Sequence, residues 1–88
     1  MMNKPNEKYN QNTINERFNA VSNIAENIKE FRLSKGISQK ALADAVGVSQ
    51  KAVDYWERGV NEPKATYILR LADFFDVSCD ELLGKQTL

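Results

Sequence analysis

The stretch Gln-Lys-Ala-Leu-Ala-Asp-Ala-Val-Gly-Val-Ser-Gln-Lys-Ala-Val-Asp-Tyr-Trp-Glu-Arg, residues 39–58, decides the fold of this chain. Its apolar residues recur at helical spacing on both sides of Gly47, which predicts two short helices joined by a tight turn. Ala43 is small enough to let the helices meet closely, and Gly47 tolerates the positive φ that such a turn requires. Val53 and Trp56 then fix the second helix against the core, which leaves its polar residues facing outward.

The same spacing upstream predicts a helix over residues 24–34 with Asn23 as its N-cap, ended by Gly36. Ser38 is the predicted N-cap of the helix over 39–46, and Ser49 that of the helix over 50–58. Gly47 and Gly59 are typical residues for the helix ends that follow. Three consecutive helices are therefore bounded by recognisable start and stop residues.

Two further helices are expected downstream, and no strand-like alternation occurs. Pro63 is predicted to open the fourth, which ends near Phe75. Ser78 and Glu81 have the spacing of a capping box, which predicts a short fifth helix. The side chains expected to face the core are those of Ile24, Ile28, Phe31, Leu42, Ala43, Val46, Val53, Trp56, Ala65, Ile68, Leu71, Ala72, Phe75 and Leu82.

Residues 1–21 form a segment of different composition, rich in asparagine and poor in large apolar residues. Such a segment cannot bury enough surface to offset its ordering entropy, so a mostly disordered, flexible N-terminal arm is expected before a domain over 22–88. Thr13 and Glu16 have capping-box spacing, and Ile14, Phe18 and Val21 share a helical face. A short helix over 14–21 is therefore an alternative to disorder for that part of the arm.

The composition excludes several classes of site. The chain has one cysteine and no histidine, too few ligands for a structural zinc and too few thiols for a disulfide, so no metal or other cofactor is expected. The sequence contains no pairing of a nucleophile and a base at a spacing typical of a catalytic site, and no glycine-rich phosphate loop. Enzyme activity is therefore not expected. Neither a membrane span nor a signal peptide is visible, which favours a cytoplasmic protein without membrane contact.

The landmarks of residues 24–84 resemble the helix-turn-helix domains of the phage repressor and Cro type, the xenobiotic-response-element (XRE) family. The resemblance implies an all-α, five-helix lambda-repressor-like DNA-binding domain whose third helix enters the major groove while the second crosses the phosphate backbone. It implies a transcriptional regulator, with repression the favoured mode. The landmarks are Gly36-Ile37-Ser38-Gln39, Leu42-Ala43, Val46-Gly47-Val48-Ser49, Val53, Trp56-Glu57-Arg58-Gly59, Pro63, Val77-Ser78 and Glu81-Leu82-Leu83.

Base contacts are expected from the outward face of the third helix. Gln50 has a side chain that can satisfy adenine N6 and N7 together, and Lys51 can donate to guanine O6 and N7. Tyr55, one turn on, can reach a thymine methyl group or the sugar-phosphate backbone. Each of these three residues also has a plainer interpretation as a solvated surface side chain.

Phosphate contacts are expected first from Gln39, beside the free N–H groups that start its helix. In proteins that this chain resembles, the equivalent glutamine also braces the first base-reading side chain, here Gln50. A structural ion pair between Arg32 and Glu57 is implied by the same resemblance. The remaining phosphate candidates are Ser49, Asn61, Lys40, Lys64 and Arg58, the last with a plain surface pair to Asp54 as its alternative.

Glu62 departs from the family pattern, since the loop after the third helix often carries basic residues in relatives. A carboxylate there weakens phosphate binding, as does the zero net charge of the chain, so two half-sites become important. The expected partner is double-stranded DNA with a near-palindromic operator, bound by a homodimer. Val60, Phe74 and Leu88 are the apolar candidates for the dimer contact.

Two other interpretations remain. An antitoxin-like or adaptor protein would use the same fold to bind a regulatory protein partner, and the zero net charge and Glu62 favour that alternative. The N-terminal arm could reach into a minor groove, although its few basic residues favour a plain disordered tail. Cys79 is expected to be a packing residue rather than a redox sensor.

Overall fold

The computed structural model describes residues 23–84, which form five α-helices with no strand among them. The helices are α1 (Ile24–Ser34), α2 (Gln39–Val46), α3 (Gln50–Glu57), α4 (Ala65–Phe75) and α5 (Cys79–Leu83). The expected all-α, five-helix architecture is therefore confirmed. The predicted arm over 1–21, its short helix over 14–21 and Leu88 lie outside the described residues.

Serine side chains start three of the helices, as the sequence predicts. The side-chain oxygens of Ser38, Ser49 and Ser78 each accept a hydrogen bond from the backbone N–H three residues later, at 3.0, 3.1 and 2.9 Å. Glu81 accepts from the backbone N–H of Ser78 at 2.8 Å, which completes the capping box. Asn23 is the N-cap residue of α1, as predicted, but its backbone is not extended, at φ −83° and ψ 3°, and its side chain makes no capping hydrogen bond.

The start of α4 differs from its predicted position. Pro63 is buried, and Lys64 after it is still extended, at φ −67° and ψ 162°, so the helix begins at Ala65. Proline fixes its own φ but does not require the next residue to be helical. Ala65, expected inside, is the first residue of the helix and is exposed, whereas Leu71, Ala72 and Phe75 are buried as predicted.

The core draws on all five helices. Phe31 and Ile68, both expected inside, are half-buried and pack against the edge of this core. The rings of Phe31 and Phe75 lie with centroids 5.5 Å apart, which joins α1 to α4. The buried apolar side chains are those of Ile24, Ile28, Leu42, Ala43, Val46, Val53, Trp56, Leu71, Ala72, Phe75 and Leu82.

The packing places α3 against α1 and α2, while α5 packs on α1 and α4. A side-chain bond from Asn27 Nδ2 to the carbonyl oxygen of Leu82, 3.1 Å long, ties α1 to the end of α5. Within the part of the chain that the structure describes, no helix has the length and apolar character needed to cross a membrane. One face of α3 is thus held by the body of the domain and the other is left outward.

Candidate nucleic-acid interface

The turn between α2 and α3 is built around the carbonyl oxygen of Ala43. This oxygen accepts hydrogen bonds from the N–H groups of both Gly47 and Val48, at 2.8 and 3.0 Å. Gly47 adopts the left-handed conformation, with φ 83° and ψ 37°, which a residue with a side chain adopts only under strain. The chain therefore leaves α2 sharply and enters α3 through the extended residue Ser49.

The outward face of α3 carries the predicted base contacts. Gln50 and Lys51 are exposed, whereas Tyr55 is half-buried. The Tyr55 ring lies between two cations, with Lys51 Nζ 5.5 Å and the Arg58 guanidinium carbon 5.4 Å from its centroid. The opposite face is fixed, because Val53 is buried completely and Trp56 almost so. A rigid helix thus presents long donor and acceptor side chains to solvent.

An open groove of about 660 Å³ runs beside this face, between α3 and the start of α4. The predicted contact residues Ser49, Lys51, Tyr55, Asn61 and Lys64 all line it. Glu62 also lines the groove and is exposed, so its carboxylate stands among the predicted DNA contacts, as the sequence suggests. The groove brings together residues 49–55 and 61–64, which are separated along the chain.

The side chain of Gln39 does not have the orientation that the resemblance implies. Its Nε2 donates to Glu57 Oε1 at 3.1 Å and faces Asp54 Oδ1 at 3.4 Å, so the amide is turned toward two carboxylates and not toward Gln50. Gln39 makes no hydrogen bond to Gln50, so the bracing that the resemblance implies is not seen, and its Nε2 is bound by carboxylates on α3 instead. The Ala41 N–H is already bonded to the Ser38 side chain, but the backbone N–H groups of Gln39 and Lys40 at the start of α2 have no partner within the helix and can bind an anion.

Arg32 and Glu57 lie side by side and join α1 to α3. Arg32 Nε and one terminal nitrogen donate to the two carboxylate oxygens of Glu57 at 2.6 and 3.0 Å. The other terminal nitrogen donates to the carbonyl oxygen of Ile37 at 2.9 Å. The hydrogen bond to Glu57 raises the pKa of the Arg32 guanidinium above its ordinary value, against the opposing effect of burial. This pair ties α3 to α1, and neither of its residues lines the groove.

Two of the predicted phosphate contacts form ion pairs on their own helices. Arg58 Nε donates to Asp54 Oδ2 at 3.0 Å, and Lys40 Nζ lies 3.6 Å from Asp44 Oδ2. Both pairs are exposed, with the side chain of Arg58 58% accessible, so each cation can turn to another acceptor at small cost. The expected surface pair between Asp54 and Arg58 is thus present.

Arg70 supports the interface from α4, although it is not among the residues predicted from the sequence. One of its terminal nitrogens donates to the carbonyl oxygen of Val46 at 3.2 Å, at the end of α2. Its guanidinium carbon lies 5.4 Å from the centroid of the Tyr67 ring, which in turn lies 5.9 Å from the Trp56 ring. No local pattern signals this role, because the hydrogen-bond partner Val46 lies 24 positions away in the chain.

The described residues contain no group of three side chains that could hold a metal ion. The site consists instead of amide, hydroxyl, ammonium and guanidinium donors around an aromatic ring. Such donors suit anionic and base-edge acceptors.

Comparison with known proteins identifies the family. A family model described as "Helix-turn-helix" matches residues 28–82. The HTH-type transcriptional regulator AnsR of Bacillus subtilis (strain 168) is 36% identical over 59 residues, which cover 67% of this chain and 51% of AnsR. Repressor protein C2 of Salmonella phage P22 is 38% identical over 60 residues, covering 68% of this chain and 28% of the repressor. The chain thus spans about half or less of the length of these curated relatives.

Two solved structures agree with this assignment. The crystal structure of the P22 c2 repressor in complex with a synthetic operator has a TM-score of 0.68 at 36% identity, covering 72% of this chain and 96% of that one. A transcriptional regulator from Listeria innocua has a TM-score of 0.69 at 29% identity, covering 74% and 61%. The chain therefore belongs to the helix-turn-helix family of the phage repressor and Cro (XRE) type, whose members named above are transcriptional regulators and repressors and not enzymes.

Proposed function

We propose that this chain is a sequence-specific DNA-binding regulator that represses transcription by occupying an operator in the cytoplasm. The observation that carries the proposal is the exposed first turn of α3, where Gln50 and Lys51 project from a helix whose other face is fixed in the core. A helix held in this way can read base edges in the major groove without losing much side-chain or backbone order. The similarity to a repressor solved with operator DNA supports the same role.

Base recognition is assigned to three residues. Gln50 makes a bidentate contact to adenine, and Lys51 donates to guanine. Tyr55 contacts a thymine methyl group or the backbone, and the two cations beside its ring keep it near the phosphates. Lys51 must leave the Tyr55 ring to reach a base edge, which an exposed lysine does readily.

Phosphate binding is assigned to residues on both sides of α3. Gln39 and Lys40 bind one strand at the start of α2, where the unpaired N–H groups add to their effect. Asn61 and Lys64 bind the other strand from the far side of the groove. Ser49 and Arg58 contribute at the two ends of α3, although the Ser49 oxygen already accepts from Ala52 N–H. These contacts position the protein, and the three base contacts specify the sequence.

A homodimer on a near-palindromic operator fits the weak electrostatics of a single domain. The chain has equal numbers of acidic and basic residues, so one copy gains little from phosphate binding alone. Two copies on half-sites about 34–36 Å apart would add their contacts. Val60, 57% exposed after α3, remains the candidate for the dimer contact among the described residues, since Phe74 is half-buried against Phe75.

The test is selection of bound sites from random duplex DNA, followed by titration of two variants on the selected site. Gln50→Ala should relax the preference at one base position, with a loss of about 1–3 kcal/mol there. Lys40→Ala should weaken binding to all sequences alike and lower the salt slope by about one. The assignment of Gln50 is wrong if both variants weaken selected and random DNA equally.

A protein-binding role is the second candidate, as an antitoxin-like or adaptor protein with a regulatory protein partner. Glu62 in the groove and the ion pairs of Lys40 and Arg58 favour it, because each lowers the positive potential that DNA requires. NMR titration with the selected oligonucleotide separates the two. DNA binding predicts amide shifts around Gln50, and unmoved shifts there would favour the protein partner.

A further inference from the structure

Asp54 lies one turn after Gln50 on α3, and its two carboxylate oxygens face donors from different parts of the chain. Oδ1 lies 3.4 Å from Nε2 of Gln39, the first residue of α2. Oδ2 accepts from Nε of Arg58, the residue that ends α3, at 3.0 Å. Both donors are side chains that the proposed function assigns to phosphates. A single carboxylate therefore contacts two of the DNA-facing side chains at once, and it shares Gln39 with Glu57, whose Oε1 lies 3.1 Å from the same nitrogen.

A carboxylate and a phosphate offer these donors the same chemistry, namely oxygen atoms that carry negative charge. A phosphate can take the Nε–H of Arg58 only by displacing Asp54, and at the terminal nitrogens of Arg58 it must lie close to the Asp54 charge. The pair is open to such exchange, since the side chains of Arg58 and Asp54 are 58% and 37% accessible. Asp54 thus acts on phosphate binding both as a competitor and as a repelling charge.

Glu57 also accepts a hydrogen bond from Gln39, but it does not compete for phosphate as Asp54 does. Its side chain is 3% accessible, and both of its oxygens are bound by Arg32. Its charge is neutralised inside the domain, so its effect on DNA is small. The Asp54 carboxylate, in contrast, is 37% accessible.

We infer that Asp54 is an internal competitor for phosphate, which holds Gln39 and Arg58 and keeps the affinity for DNA of arbitrary sequence low. The inference rests on the proposed function, because it assumes that phosphates lie beside α3. The inference explains why a cation of the proposed DNA-binding surface is paired with an acidic residue of the same chain. Removal of the carboxylate should free Arg58 to bind phosphate in any sequence.

The test measures binding of the full chain to a random-sequence duplex across a salt series. Asp54→Asn and Asp54→Ala should tighten binding about three- to tenfold near 0.1 M salt and steepen the salt slope by about one, as expected for one gained phosphate contact. The matched control is Asp73→Asn, which removes an exposed charge on α4 that pairs with no cation in the described part of the chain. The control should change binding less than twofold.

A double-mutant cycle identifies the route of the effect. If Asp54 acts through Arg58, the gain from Asp54→Asn should fall to that of the control in an Arg58→Ala background. Equal gains from Asp54→Asn and Asp73→Asn, or a gain that Arg58→Ala leaves intact, would overturn the inference. Circular dichroism of each variant checks that the helices are retained.

The two levels of the proposal fail separately. If Gln50→Ala changes the base preference and Asp54→Asn leaves random binding unchanged, the inference is wrong and the function stands. If the unaltered protein selects no sequence above random, the function is wrong, and the inference, which assumes it, falls with it.

Discussion

Arg32 is a charged residue in the interior of a small domain, 9% exposed, and its guanidinium makes three hydrogen bonds. Arg32→Ala would leave the Glu57 carboxylate without its cation at a position that is 3% accessible. We expect a loss of about 3–5 kcal/mol in the free energy of unfolding, because an uncompensated buried charge is strongly destabilising. Urea denaturation followed by circular dichroism measures it.

The control for this prediction replaces both charges. Arg32→Met combined with Glu57→Leu removes the unpaired charge and should recover at least half of the loss. A single variant that loses under about 1 kcal/mol would contradict the buried-charge explanation. The raised pKa of Arg32 gives stability that is complete at neutral pH and is lost only as pH rises through the arginine range. Substitution is therefore a better test than titration.

At the scale of elements, the turn between α2 and α3 depends on Gly47. Its φ is 83°, and a Cβ atom there would lie 3.1 Å from a terminal nitrogen of Arg70. Gly47→Ala should therefore lower the free energy of unfolding by about 1–3 kcal/mol, from backbone strain and from displacement of Arg70. Chemical denaturation of the purified variant gives the value.

Gly36 is the matched control, since its φ is 69° and a Cβ atom there would meet nothing within 4 Å. Gly36→Ala should lose only the part due to backbone strain. An Arg70→Ala background should remove the difference between the two glycine variants. Equal losses in the unaltered background would mean that Arg70 moves aside without cost.

Short-range chemistry explains which elements could be predicted. Ser38, Ser49 and Ser78 bond to N–H groups three residues away, so the sequence window contains both partners. The start of α4 could not be predicted in this way, because the burial of Pro63 and the extended backbone of Lys64 depend on the rest of the fold. The helix starts that are fixed by local hydrogen bonds agree with the prediction, whereas the start of α4, which depends on tertiary packing, lies two residues after its predicted position.

The candidate site, like the helices, is predictable from the sequence where it depends on local features. Lys51 is exposed on α3 because the helical period places it opposite Val53, whereas Gln50 is exposed because it is the first residue of the helix. The partners of Gln39 and Arg70 could not be found in this way, since each bonds to a residue at least fifteen positions away. The sequence thus shows which side chains face outward, and the fold determines which of them are already occupied.

At the scale of the whole molecule, the five helices share one core, so they should unfold together. Leu82 on α5 is fully buried, and its backbone carbonyl accepts from Asn27 on α1. Leu82→Ala should lower the free energy of unfolding by about 2–5 kcal/mol through lost burial and a residual cavity. Trp56 fluorescence, which reports on α3, and far-ultraviolet circular dichroism should show the same lowered midpoint, as two-state unfolding requires.

Leu69 is the control for this prediction, because it is the same residue type and is 63% exposed. Leu69→Ala should change the free energy of unfolding by no more than about 0.5 kcal/mol. If Leu82→Ala removes part of the helical signal while the Trp56 transition stays in place, α5 unfolds independently and the core is divided. If both transitions move together, the loss of packing at α5 also destabilises α3. The packing that buries Leu82 also holds Trp56 in place, and Trp56 fixes the helix whose outward face is proposed to read DNA.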